Sequence, residues 1–384
     1  MNIKVIHNYP IWLPQTQTWM YNQARHLPKE VECHIVCERT ENLEQFHLPN
    51  IHSLNQEPKW RDYLDRGLRF LHARHHLGFL VDQAKRQQAQ VLHSHFGYTG
   101  WADITAAKKA RLRHVVTFYG ADIHYYPRMD PRWNDRYRTL FSSVDRVLCE
   151  GPHMAQCIEK LGCPEEKIVV HHLGVSVEEI SFKPRIWNPN EPLRIFIAGS
   201  FREKKGIPVA LEALGMLQHE IPMEISIVGD ETGEERSRAE KQKILEVIRK
   251  HQLQSKTRLL GFQPHSVFFE EAYRHHIFLS PSVTAGDEDT EGGAPVTLIE
   301  AAATGMPIVS TVHCDIPEVI KHEVTGLLAP EYDVNGLVKH LKWMVDHPAQ
   351  WSNMLMMARS HIEKEFNAPI QGGKLGKIYK ELAD

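Results

Sequence analysis

Two loops in the second half of the chain carry the residue types best suited to holding a phosphorylated ligand. The first, TAGDEDTEGGAP at Thr284–Pro295, is acidic and glycine-rich and follows the apolar run HIFLSPS. Pro295 stands where the first-turn proline of a helix is expected, which leaves the amides of Val296, Thr297 and Leu298 without intrahelical partners. Free amides at the positive end of a helix dipole make an anion site. Glu300 comes three and four residues after Thr297 and Val296, so all three share one helix face. A carboxylate one turn behind an anion site is badly placed for phosphate and well placed for ribose hydroxyls. As a mere complement to the dipole it would contribute about 0.3–1 kcal/mol, and that leaves Glu291 and the glycines beside it unexplained. Gly305, with Pro307 just beyond, closes the helix.

The second loop, SFREKKG at Ser200–Gly206, follows the strand-like LRIFIAG and precedes a helix with Pro208 near its start. Arg202, Lys204 and Lys205 in front of a helix N-terminus form a plausible diphosphate cradle. A solvated basic turn is the alternative reading of this loop alone.

In the first half, three turns follow predicted strands. They are PQTQTWMYNQ (Pro14–Gln23), which contains Gln17 and Thr18, HSHFGYTG (His93–Gly100) and TFYGADIHYYPR (Thr117–Arg128). Asp122, beside a glycine at a strand end, is placed to accept a hydrogen bond from a ligand hydroxyl; capping the next segment is its other reading. His95 and His124 lie in the same turns, in a chain of 25 histidines. The segment Trp60–His76, WRDYLDRGLRFLHARHH, sets arginines among apolar residues at helical spacing. It reads as a core-facing helix with a solvated basic face, or as a helix lying on a membrane surface.

The elements that would position these residues alternate along the chain. Strands are expected at Ile3–Ile6, Glu32–Cys37, Val91–His93, His114–Phe118, Arg146–Cys149 and Ile168–His171. Helical patterns fall at Gln17–His26, Trp60–Gln88, Trp101–Ala110, Pro131–Phe141 and His153–Lys160. The stretch 183–192, rich in proline and without periodicity, reads as an interdomain linker. Strand and helix then alternate again. Strands are expected at Leu193–Ala198, Glu224–Val228, Arg258–Leu260, Ile277–Ser280 and Ile308–Ser310. Helices are expected at Pro208–Leu217, Arg236–His251, His265–Arg274, Pro295–Thr304, Val334–Val345 and through the last segment from Gln350. The expectation is two doubly wound α/β domains, 1–182 and 193–365, with 366–384 a C-terminal helix packing back on the first. Ligands bind at the carboxyl edge of such sheets.

Composition bounds the rest. The 384 residues suit two cores. A net charge of −3 gives no support to nucleic-acid binding. Cys33, Cys37, Cys149, Cys157, Cys163 and Cys314 form no CxxC pair and read as buried thiols of a reducing cytosol. MNIKVIHNYPIW does not read as a signal peptide, and no run approaches the roughly 20 apolar residues of a membrane span. A cytoplasmic protein, with or without contact to the membrane's cytoplasmic face, is expected. Composition is silent on oligomeric state.

Taken in order, GSFREKKG, IVGD (Ile227–Asp230), LLGF (Leu259–Phe262), FLSPS (Phe278–Ser282) and EGGAPVTLIEAAATGMPIVST resemble glycosyltransferase family four, over nearly the whole chain. That family has the GT-B fold, two Rossmann-like domains facing each other across a cleft, and retains anomeric configuration. Its bacterial polysaccharide-biosynthesis members, the group 1 glycosyltransferases, are the most similar in pattern. The resemblance implies a nucleotide-sugar donor such as a UDP- or GDP-sugar, a glycan, lipid-linked or small-molecule acceptor, and no cofactor or metal, although Asp287 and Asp289 form a DED. It implies that Lys205 binds the diphosphate, Glu300 the ribose, and Glu291, supported by the amides of Gly292, Gly293 and Ala294, the sugar. The amides of Val296 and Thr297 would touch the distal phosphate, and the base would lie near Gly261, Phe262 and Gln263.

Three features depart from the family pattern. Eight residues separate Glu291 from Glu300 where the family has seven, so Asp289 or Thr290 could share the first glutamate's role. Ser200 stands at the usual arginine, with Arg202 as its substitute. Tyr119 replaces a histidine whose part His95 or His124 could take. A sugar-nucleotide epimerase and a catalytically degenerate nucleotide-sugar binder are the alternatives.

Overall fold

The computed structural model describes residues 2–14 and 17–384. Two compact units divide the chain at Gly174/Val175 and again at Phe366/Asn367, so residues 367–384 belong with the first.

The first unit is built on a seven-stranded parallel sheet. Its strands are β1 (Ile3–Asn8), β2 (Val31–Cys37), β3 (Ile51–Ser53), β4 (Val91–His95), β5 (Arg113–Thr117), β6 (Arg146–Cys149) and β7 (Ile168–Val170), in the order β3-β2-β1-β4-β5-β6-β7. The second has six parallel strands. They are β8 (Leu193–Ala198), β9 (Met223–Val228), β10 (Thr257–Leu259), β11 (Ile277–Ser280), β12 (Ile308–Thr311) and β13 (Leu327–Ala329), in the order β10-β9-β8-β11-β12-β13. In each sheet the winding runs outward from the first strand on one side and then restarts on its other side. This reversal falls between β1 and β4, and between β8 and β11, and it opens a crevice at the strands' carboxyl ends.

Alternation along the strands explains the two layers of helices. Ile195 and Ile197 pack with the helices Ile207–Leu217 and Val334–Asp346, whereas Phe196 joins Phe278 and the helices His265–Arg274 and Val296–Ala303 on the opposite face. In the first unit, Ile6 and Leu92 pack under the helix Gly78–Gln87. Val5, Val91 and Val115 face the other way, against Leu375 and Tyr379 of the C-terminal helix Ala368–Ala383.

Several expected boundaries move. The stretch 183–192 is part of the second unit and not a free linker. Arg185 is buried in it, its guanidinium donating to the carbonyls of Ala272, His275 and Thr304. The single helix expected over 60–88 is two, Lys59–Phe70 and Gly78–Gln87. His72 turns left-handed between them, and the Asp65 carboxylate accepts the Gly78 amide at 2.8 Å, starting the second helix. The last segment likewise breaks at Phe366–Asn367, between Trp351–Glu365 and Ala368–Ala383. The three-residue strands β3 (IHS) and β13 (LLA) stand outside the expected elements, whereas β7 and β10, equally short, coincide with expected strands.

Candidate donor site at the second sheet's reversal

The two loops singled out in the sequence follow β8 and β11, the strands flanking the reversal, and they meet. Gly206 ends the basic loop in a left-handed conformation, φ 62°, and a Cβ there would lie 1.8 Å from the carbonyl oxygen of Pro281. Only glycine allows this approach. Lys205 Nζ thereby comes within 2.8 and 2.9 Å of the two Glu291 carboxylate oxygens, and Ser282 Oγ donates to the first at 2.9 Å. Lys204 Nζ donates to Asp289 Oδ1 at 3.0 Å and to the Thr290 carbonyl at 2.8 Å. Arg202 is committed to acids, pairing with Glu234 and reaching Asp289 at 3.4 Å; Arg236 holds Asp287 at 2.9 Å. Asp287 and Asp289 thus face cations. Ser200 is half-buried, its carbonyl accepting the Arg202 amide at 2.8 Å.

Burial alone would raise the Glu291 pKa, but Lys205, then Lys204, outweigh it and hold the carboxyl at about 2. The group is a buried anion, fixed at both ends. Its own amide donates to His313 Nε2 at 3.1 Å, which places that ring's proton on Nδ1, facing Glu331 at 2.6 Å. Downstream, Gly292 turns left-handed, φ 76°, and Gly293 accepts the Asp315 amide at 3.3 Å. Ala294 leads into the helix.

That helix begins one residue later than expected. Pro295, ψ 130°, is its cap, Val296 is its first residue, and the Leu298 amide bonds the Pro295 carbonyl at 2.9 Å. The amides left without an intrahelical partner are therefore those of Val296 and Thr297. Glu300, one turn on, is buried and meets His265 Nε2 at 2.8 Å. Burial lowers the His265 pKa, but the Glu300 charge more than reverses this, so the net shift is upward. Gly261 is left-handed, φ 69°, its carbonyl accepting the Gly229 amide at 2.8 Å, and the ring of Phe262 beside it is exposed.

In the first unit, β4 reads VLHSH and is fully buried, so its polar residues must find partners inside. Ser94 bonds Asp103 and His114 at 2.8 and 2.9 Å, and His93 and His95 are satisfied in one chain of hydrogen bonds. Thr117 Oγ1 meets His93 Nε2 at 2.6 Å, and His93 Nδ1 meets the Tyr379 hydroxyl at 2.6 Å. That hydroxyl meets His7 Nε2 at 3.0 Å, His7 Nδ1 meets His95 Nε2 at 3.0 Å, and His95 Nδ1 meets the Tyr119 hydroxyl at 2.8 Å. Burial pushes all three imidazole pKa values down, that of His7 to about 3, so the rings are neutral. With one proton per group, and with the Tyr379 hydroxyl proton used within the chain, all bonds run from Thr117 to Tyr119 or all run back. His95 therefore has no free ring nitrogen for a substrate; it fixes the Tyr119 hydroxyl. His7, His93 and His95 bring their nitrogens within 4.8 Å of one another, but each nitrogen already has a partner in this chain.

Asp122 is fully buried, the third residue of the helix Gly120–Ile123, and one of its oxygens accepts the amide of Tyr119, that helix's cap, at 3.0 Å; it closes a capping box on its own helix and does not cap the next segment. Burial raises its pKa to about 7 against the pull of the Tyr119 and Gly97 amides. His124 is half-buried, with a ring nitrogen within 4.8 Å of the His153 and Cys157 ligating atoms. Gln17 caps the helix Thr18–Arg25 and donates to the Tyr9 hydroxyl at 3.1 Å; Thr18 is that helix's first residue. Gln15 and Thr16 of the same turn lie outside the described residues.

The family model described as "Glycosyl transferases group 1" matches residues 178–361, and "Glycosyltransferase Family 4" matches 16–179. The amylovoran biosynthesis glycosyltransferase AmsK of Erwinia amylovora is 34% identical over 298 residues, 77% of this chain and 71% of that protein. The chain belongs to the group 1 glycosyltransferases. A putative colanic acid biosynthesis glycosyltransferase of Escherichia coli, WcaL, is 33% identical over 312 residues, 77% of this chain and 71% of its own length. Among solved structures, sucrose-phosphate synthase from Thermosynechococcus elongatus superposes with TM-score 0.77 at 15% identity, over 99% of both chains. The Anabaena protein HepE, in complex with UDP and glucose, gives 0.75 at 14% identity, over 99% of this chain and 100% of its own. The fold is GT-B.

Four residues of this glycosyltransferase's site were not legible in its sequence: Ser282, His265, His313 and Glu331. Ser282 closes the FLSPS run, where nothing singles it out for a contact with Glu291. His265, just after the LLGF run, and His313 and Glu331 are lone polar residues outside any motif, brought to the two glutamates by the arrangement of the strands.

Proposed function

We propose that this glycosyltransferase moves a sugar, with retention of configuration, from a nucleotide-diphosphate donor such as a UDP- or GDP-sugar to a glycan or lipid-linked acceptor in polysaccharide assembly. What carries this reading is the meeting of Lys205 with Glu291 at the sheet reversal, on the loop that leads into the open amides of Val296 and Thr297. Lys205 takes the diphosphate when donor enters, with Arg202, Ser200 and the Val296 and Thr297 amides around it. Glu291, kept ionised and placed by Ser282 and His313, accepts from the sugar hydroxyls beside Gly292, Gly293 and Ala294. Glu300 takes the ribose, held in position by His265, and the base lies along Gly261 and Phe262. The turns carrying Gln17, Thr18, Tyr119, Asp122 and His124 take the acceptor, with His95 orienting Tyr119. The two biosynthetic relatives support the polysaccharide setting, and the UDP and glucose held by HepE support the donor class.

The chemistry asked of the protein is charge stabilisation and positioning. The bond from the anomeric carbon to the diphosphate oxygen breaks. The acceptor oxygen bonds to the same face, and its proton passes to the departing diphosphate. The cations and amides stabilise that diphosphate without a metal. No helix among the described residues is long and apolar enough to cross a membrane; we place the protein in the cytoplasm, in contact with a membrane through residues 60–76. In a panel of UDP-, GDP- and ADP-sugars, one donor should turn over with its anomeric configuration kept in the product. Lys205→Ala should cut that turnover by about 10²–10³ with the circular dichroism unchanged. Full turnover by that variant, or an inverted product, would overturn the assignment.

A further inference from the structure

The helix Lys59–Phe70 is packed the wrong way round for a core helix. Its one fully buried side chain is Asp65, 3% exposed, held by Arg69 at 2.9 Å, by Arg74 and by the Gly78 amide. Its large apolar side chains face outward: Trp60 is 61% exposed, Tyr63 71%, Leu64 53%, Phe70 82% and, in the closing turn, Leu71 72%. The core-facing reading of this segment is thereby corrected. At about 100° per residue, positions 60, 63, 64, 67, 70 and 71 fall within an arc of about 120°, and Asp65 and Arg69 lie opposite. Gly67, mid-stripe, has nothing within 4 Å of where a Cβ would stand, so the face is open along its length.

We propose that this face seats the protein on an anionic lipid surface, the stripe entering the headgroup layer and the flanking cations meeting lipid phosphates. The charge on the page selects this occupant. Lys59 and Arg66 border one edge of the stripe and Arg61 the other, and residues 57–76 hold five Lys and Arg against three acids. Lys59 makes no ion pair among the described residues; Arg66 is paired with exposed geometry to Asp62 at 2.8 Å, and Arg61 to Glu57 at 3.0 Å. Such exposed pairs are weak and exchange readily for phosphate. Trp and Tyr on a short helix with basic edges suit an interfacial position. A second copy fits worse, because two-fold pairing of a basic-edged stripe would set cations against cations. The glycosyl-transfer reading enters only through the lipid-linked acceptor this seating would present.

The test is flotation of the full chain with vesicles of phosphatidylcholine alone and of phosphatidylcholine with phosphatidylglycerol. Binding to the anionic vesicles, weakened by salt, is expected. Leu64→Glu with Phe70→Glu should reduce it at least about tenfold, and Lys59→Glu with Arg66→Glu should abolish the preference for anionic lipid. Thermal unfolding and nucleotide binding should be unchanged in both, so a failed donor assignment would show separately. No binding to either vesicle, or equal binding by the Leu64→Glu/Phe70→Glu variant, would overturn the proposal. So would a wild-type dimer in analytical ultracentrifugation that this variant dissociates, which would give the face to a second copy.

Discussion

The pairing of Lys205 with Glu291 can be tested by a double-mutant cycle. The carboxylate is buried, and its fall from the ordinary 4.5 to about 2 corresponds to about 3 kcal/mol of preference for its ionised form in the folded protein. Lys205→Met leaves that anion in a buried site with only Ser282 and the more distant Lys204, and Glu291→Gln leaves the half-buried Lys205 ammonium without its carboxylate. Removing one partner of such a pair costs about 3–5 kcal/mol. Lys205→Met combined with Glu291→Gln buries two neutral groups of similar volume. It should cost less than the sum of the single changes by about 2–3 kcal/mol. Urea unfolding at pH 7, followed by circular dichroism, measures this, using the transition that shifts in all three variants because two units can melt separately. The sign of the pH dependence follows. A depressed folded pKa stabilises fully above pH 4.5 and loses its contribution as pH falls toward 2. Glu291→Gln should flatten that acid limb. Single-variant effects that add to within about 0.5 kcal/mol would refute the coupling.

Asp122, with its pKa raised to about 7 by burial, binds a proton in the folded state between about pH 4 and 7 that the unfolded chain has released, so stability should fall as pH rises through that window. Asp122→Asn keeps the bond to the Tyr119 amide and should remove a slope of up to about 1.4 kcal/mol per pH unit, read by urea titrations across the window. Tyr379→Phe leaves His93 and His7 each with an unpartnered buried nitrogen and should lower stability by about 1–3 kcal/mol in thermal denaturation. Glu300→Gln should weaken nucleotide binding about tenfold and shrink the nucleotide-induced rise in melting temperature, with the ligand-free melting temperature changing far less.

The sequence shows the donor site better than it shows its support, and the reason is one of distance along the chain. Glu291, Glu300 and the open amides lie in one strand–loop–helix unit, where glycine, proline and helical spacing are local signals. Lys205 and Gly206 lie in another such unit. That Lys205 reaches Glu291, and His265 reaches Glu300, depends on β11 lying beside β8, a crossover no local pattern encodes. The buried histidine chain was hidden for a different reason. VLHSH looks like a strand leading to a polar turn, and only the C-terminal helix, returning Tyr379 from far along the chain, makes its polar residues satisfiable inside. The helix Lys59–Phe70 was misread because amphipathic spacing says which residues share a face and says nothing of where that face points. Asp65, the anchor of its inner side, is one of two acids among the arginines of 61–74.

Transfer from a nucleotide-sugar donor requires the basic loop after β8 to hold a nucleotide diphosphate. Isothermal titration of UDP, GDP and ADP into the wild-type protein and Lys205→Ala tests it most directly. One nucleotide should bind the wild type and lose at least about tenfold in affinity, about 1.4 kcal/mol, in the variant. Equal affinity for both proteins, or binding of none of the three, would contradict it.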